Sequence, residues 1–101
     1  MNEDISKIKF FRRLTNEWER RSVGSSRSFQ VGPHRMIQLF TPLFGESFGL
    51  TGEEHFITCV ENRFGGHYTD VFRLRFAKTT PLKKVLNDTW AYWVAHQVQE
   101  E

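Results

Sequence analysis

The stretch ENRFGGHYTD, residues 61–70, spaces two carboxylates so that they can meet. A two-residue turn at Gly65-Gly66 sets Glu61 directly opposite Asp70 across a β-hairpin, on the side of the strands that carries Cys59 and Phe72. Paired carboxylates can share a proton, one pKa being raised by the neighbouring charge, and so serve acid–base chemistry. That chemistry also wants a cleft, and a hairpin tip offers none. Like charges directly opposite one another repel, and neither tolerates an apolar core without a partner. The expectation is a tip that projects past the core, its repulsion screened by water or by Arg63, or else a bulged pairing that separates the two acids.

A second candidate is cationic. Lys78, Lys83 and Lys84 surround the start of the last predicted helix, where lysines and free backbone N–H groups together can hold a phosphate or a carboxylate. Arg12 and Arg13 lie on the polar side of the first predicted helix, and these five residues form the candidate anion- or nucleic-acid-binding set. The plainer reading is a solvated charged surface. Cys59 falls mid-strand and reads as a small core residue rather than a nucleophile. His34, His55, His67 and His96 have neither i, i+4 spacing nor a cysteine partner, so no metal site is expected. Glu53-Glu54-His55 sets acids beside a base, but adjacent strand residues point to opposite faces. With no nucleophile elbow and no glycine-rich phosphate fingerprint, neither catalysis nor a cofactor is expected.

The elements that must position these residues follow from periodicity. Residues 4–22 predict a helix with Ile5, Ile8, Phe11, Leu14 and Trp18 on one face, Asp4 as N-cap and Gly24 as terminator. Residues 29–40 are strand-like but broken by Gly32-Pro33, which predicts two short strands, an edge strand or a bulge. Residues 41–54 read as a long loop carrying Phe44 and Phe48. Residues 55–64 and 67–76 predict a hairpin whose core side holds Ile57, Cys59, Phe72 and Leu74. Its outer side holds Phe56, Thr58 and Val60 against Arg75, Arg73 and Val71. A final helix over 81–99 is capped by Thr80, with Pro81 at its first position and Leu82, Val85, Leu86, Trp90, Trp93, Val94 and Gln97 buried.

The expected fold class is α+β: an N-terminal helix, a three-stranded antiparallel meander with a long loop before the final hairpin, and a C-terminal helix. Both helices are expected on one face of the sheet. At 101 residues, residues 1–101 make a single compact domain. Ten Phe and three Trp are enough to build most of a core at this size. Local likenesses to the strand–helix junction of small ubiquitin-like modifiers (residues 71–86) and to the Gly-Pro segment of double-stranded RNA-binding domains (residues 32–40) cover one short stretch each and carry no family assignment.

Charge is unevenly spread. Residues 1–36 hold eight Lys/Arg and four acids, a balance of +4; the rest hold six and eight, a balance of −2; together they give the chain's +2. With one cysteine no internal disulfide forms, and no apolar run has the length of a membrane helix, so a cytoplasmic or host-cytoplasmic protein is expected. The reading of function is a small non-enzymatic binding protein, an adaptor or an inhibitor of phage or viral type, acting on another protein. Its expected contact residues are Phe44, Phe48, Phe56, Phe64, Arg63, Tyr68, Arg73 and Arg75. The rival is nucleic-acid binding through Arg12, Arg13, Lys78, Lys83 and Lys84, and a homodimer through an open sheet face is a further expectation.

Overall fold

A computed structural model describes residues 4–22, 24–42, 54–62 and 66–97. The order is α1 (Lys7–Glu19), β1 (Ser26–Gln30), β2 (Arg35–Phe40), β3 (Glu54–Asn62), β4 (Tyr68–Ala77) and α2 (Leu82–Ala95). The four strands form one antiparallel sheet in the order β1-β2-β3-β4. The α+β class is as expected, but the sheet has four strands rather than three. Gly32-Pro33 ends β1 and the chain returns at once, Val31 N–H donating to the Arg35 carbonyl at 3.0 Å, so the broken run is a complete hairpin.

Both helices lie against one face of the sheet. Phe10 of α1 meets Phe29 edge-on at 5.8 Å, Trp18 meets His55 at 5.1 Å and Phe76 at 6.3 Å, and Phe72 meets Tyr92 of α2 at 5.7 Å. The helices run antiparallel: Phe10 packs on Trp90 at 5.1 Å while Gln97 donates to Asp4 at 3.2 Å. Ile37, Leu39, Ile57, Cys59, Phe72, Val85 and Trp93 complete a continuous buried cluster, with Leu74 half-buried against it. The hairpin's inward set is therefore as expected.

Helix phase and caps differ from expectation. In α1 the buried residues are Phe10, Leu14, Glu17 and Trp18, whereas Ile8 is 73% exposed. Phe10 is wedged between Phe29 and Trp90, and Arg27 of β1 donates to Glu17 at 2.5 Å; together they turn α1 so that Ile8 faces out. Ser6, not Asp4, caps α1, accepting from the Lys9 N–H at 3.3 Å. In α2 Pro81 stands at the N-cap with no side-chain cap, and the fully buried line is Val85, Thr89 and Trp93; Val94 is 44% exposed.

The hairpin register departs at one point. Ile57 faces Leu74 and Cys59 faces Phe72, but Val60 faces Asp70, Glu61 faces Thr69 and Asn62 faces Tyr68. Val71 is thus an extra residue, a β-bulge. Asn62–Tyr68 is the last described pair; Gly65 of the expected Gly65-Gly66 turn lies outside the described residues, and Gly66 has φ +100°. Glu61 and Asp70 are consequently not opposed. Glu61 stays on the helix side, bonded to Arg35 of β2 at 3.0 Å, and Asp70 turns outward.

Arg35 also donates to the His96 carbonyl at the end of α2 and lies 5.8 Å from the Trp93 ring centroid. The Arg35 and Glu61 side chains are largely enclosed, so removing Arg35 takes a close, desolvated counter-charge away from Glu61. Arg35→Ala is expected to cost about 2–4 kcal/mol, with Arg35→Lys costing less because one donor of the fork is kept; urea denaturation measures both. Cys59 is fully buried, and burial pushes its thiol pKa up to about 12, against the opposing effect of Arg35. A thiol reagent is expected to label Cys59 no faster than the protein unfolds, which a stopped-assay comparison with the unfolding rate checks.

Candidate functional site

With the helices on one side, the outer face of the sheet is built by strand alternation. Ser26, Ser28 and Gln30 come from β1, and Met36, Gln38 and Phe40 from β2. Phe56, Thr58 and Val60 come from β3, and Asp70, Arg73 and Arg75 from β4. The bulge adds Tyr68, opposite Asn62 and 56% exposed, to this side. In an unbulged ladder Tyr68 and Asp70 would have faced the helices.

A depression of about 380 Å³ opens on this face, lined by Ser26, Gln38, Phe40, Phe56, Thr58, Asp70 and Arg73. Its walls combine two half-buried rings with hydroxyl, amide and charged groups. The Arg73 guanidinium stands 5.7 Å from the centroid of Phe56 and bonds Asp70 at 3.1 Å. Both members of that ion pair are more than half exposed (60% and 55%), so it is weak and exchangeable. Arg75 bonds Glu54 at 2.8 Å. Phe56, Tyr68, Arg73 and Arg75 are therefore brought to one face. Phe44, Phe48, Arg63 and Phe64 lie outside the described residues. Thr58 lies on the outer side as expected, whereas Ser26, Gln38, Phe40 and Asp70 are additions to it; the alternation Met36-Gln38-Phe40 is the signal available for β2.

The cationic set is not brought together in this way. Arg13 is 3.8 Å from Glu17 and 5.4 Å from the Phe29 centroid, and Lys84 bonds Asp88 at 2.9 Å. Arg12, Lys78 and Lys83 are exposed. A cleft of about 580 Å³ beside the start of α1 holds Lys9 and Arg13, but also Asp4. Among the described residues no group of His, Cys, Asp and Glu is arranged to hold a metal ion, and no helix is long and apolar enough to cross a membrane.

No family model, curated protein or solved structure matches the chain.

One polar cluster on the helix side is structural. His55 is buried between Trp18 and Thr41, and the Arg21 Nε–H donates to its Nε2 at 3.1 Å. A guanidinium has no acceptor, so Nε2 carries the lone pair and Nδ1–H donates to Thr41 Oγ1 at 2.9 Å. Burial, then the charges of Arg21 and Lys78, hold the His55 pKa below the ordinary 6.5. The unfolded chain therefore binds a proton that the folded chain refuses. Stability contributed by neutral His55 is complete above pH 6.5 and lost as pH falls through its lowered folded value. Denaturation curves are expected to show stability declining below pH 6.5, with a shallower decline for His55→Gln.

Proposed function

We propose that the chain is a small non-enzymatic binding protein that acts stoichiometrically on another protein, as an adaptor or inhibitor, through the outer face of its sheet. The observation that carries this reading is the depression between Phe40 and Phe56 with Arg73 at its edge, on the face opposite both helices. Aromatic rings and arginines are the residue types that dominate interface energetics. The chemistry of the depression would suit a partner that brings an apolar side chain to enter it and a carboxylate to meet the exposed donors of Arg73 and Arg75. Nucleic acid is a poorer fit, because the cations that would follow a phosphate backbone are divided between α1 and the start of α2, with Arg13 and Lys84 already beside Glu17 and Asp88.

The test is capture of a partner from a native lysate by wild-type protein and by single variants, at graded salt. Phe56→Ala is expected to weaken the captured complex about 30-fold, as loss of a central ring costs about 2 kcal/mol, and Arg73→Glu to weaken it further. Lys83→Glu, on the helix side, is expected to leave it intact. A complex indifferent to Phe56→Ala overturns the proposal. So does a mobility shift with generic DNA or RNA that collapses steeply with salt.

A further inference from the structure

The outermost strand adds a feature that the face alone does not explain. β4 is ten residues long and pairs only with β3 among the described residues, so its other edge carries backbone groups for a further strand. Past the bulge, Arg73 and Arg75 stand on the outer side of this edge, while Phe72 and Leu74 stand on the helix side.

Self-pairing is opposed by charge. Residues directly opposite in an antiparallel pair share a face. A two-fold pairing with a second copy, centred on Arg73, Leu74 or Arg75, therefore sets Arg73 against Arg73, Arg73 against Arg75, or Arg75 against Arg75. Registers further out run into the bulge at Val71 or off the strand at Ala77. Like charges in these positions destabilise the pair. Carboxylates two residues apart on an incoming strand meet the same two arginines favourably: the exposed Arg73–Asp70 bond gives way readily, and Arg75, which keeps the enclosed Glu54 on its Nε, is 56% exposed and has its Nη donors to offer.

The helix side of the edge supplies the alternate half of the pattern. Tyr92 of α2 is 45% exposed, packs on Phe72 at 5.7 Å and stacks on His96 at 6.2 Å. An aliphatic side chain between two acids would lie against Leu74 and this ring pair.

We infer that the free edge of β4 accepts an extended acidic segment of a partner protein as a fifth strand, acids at alternate positions over Arg73 and Arg75 and aliphatic residues toward Tyr92. This rests on the proposal of protein binding and specifies how the partner's carboxylates reach the arginines. The probe is a short capped peptide of alternating glutamate and valine, added to the full chain, with a lysine–valine peptide as control. The readout is amide hydrogen exchange and NMR shifts.

The glutamate peptide is expected to slow exchange in residues 72–76 and shift Tyr92, and the lysine peptide to do neither. The double variant Arg73→Glu/Arg75→Glu, both sites exposed and its fold checked by circular dichroism, is expected to bind the glutamate peptide at least about tenfold more weakly and to prefer the lysine peptide. Failure of the glutamate peptide to protect residues 72–76, or equal protection by both peptides, overturns the inference. If Phe56→Ala still releases the captured protein in that case, the face stands and only the edge fails. Peptide protection of β4 beside a captured complex indifferent to Phe56→Ala leaves the edge and removes the face.

Discussion

The bulge at Val71 decides which side chains of the final hairpin meet the helices and which meet a partner. Side-chain direction alternates along a strand, so one inserted residue exchanges the two faces for everything beyond it. Here the exchange sends Asp70 and Tyr68 outward, while Glu61, on the uninterrupted strand β3, stays on the helix side beside Arg35. Without it, two carboxylates would stand opposite each other under the helices with a single arginine between them. Bulges also sharpen the local twist, and this one lies on an edge strand, where twist discourages indiscriminate pairing.

Two arginines on the helix side and two on the outer side are used differently. Arg35 joins β2, β3 and the end of α2, and Arg21 joins the end of α1 to His55 on β3. In these enclosed settings the dielectric is low, and a missing partner is costly. Arg73 holds Asp70 at the water-exposed edge, where an ion pair contributes little and trades partners readily, whereas Arg75 holds the largely enclosed Glu54 and leaves its own outer side to solvent. Ring and guanidinium chemistry is thus shared across the sheet, while the solvent decides which pairs are structural and which are available.

The helix layer presents a second apolar surface, smaller and more dispersed. Ile8 and Val94 each lie one turn from the Phe11–Trp90 contact on the outer side of the antiparallel helix pair. Their exposure follows from rotation rather than from composition: Phe10 has a ring-lined site between Phe29 and Trp90, and a helix that seats Phe10 inward must carry Ile8 outward.

Local pattern by itself determined the element types and the inward set of the final hairpin. Period-two alternation over residues 55–60 and 71–76 admits one register of apolar residues, and Ile57, Cys59, Phe72 and Leu74 occupy it. Proline and glycine marked the breaks, which is why both helices were legible, but the Gly32-Pro33 break left two strands, an edge strand and a bulge equally open, and the fourth strand was missed. What tertiary structure decided was phase. The helix stripes left several rotations nearly equivalent in apolar content, and contacts such as Arg27 with Glu17 selected among them. The bulge was equally out of reach, because the glycine pair is compatible with a two-residue turn locally, and the contact of Glu61 with Arg35 joins residues far apart in the chain. The outer face inherits both decisions: its rings were visible in the sequence, whereas its depression, its Asp70 and its exposed edge exist only once four strands lie side by side.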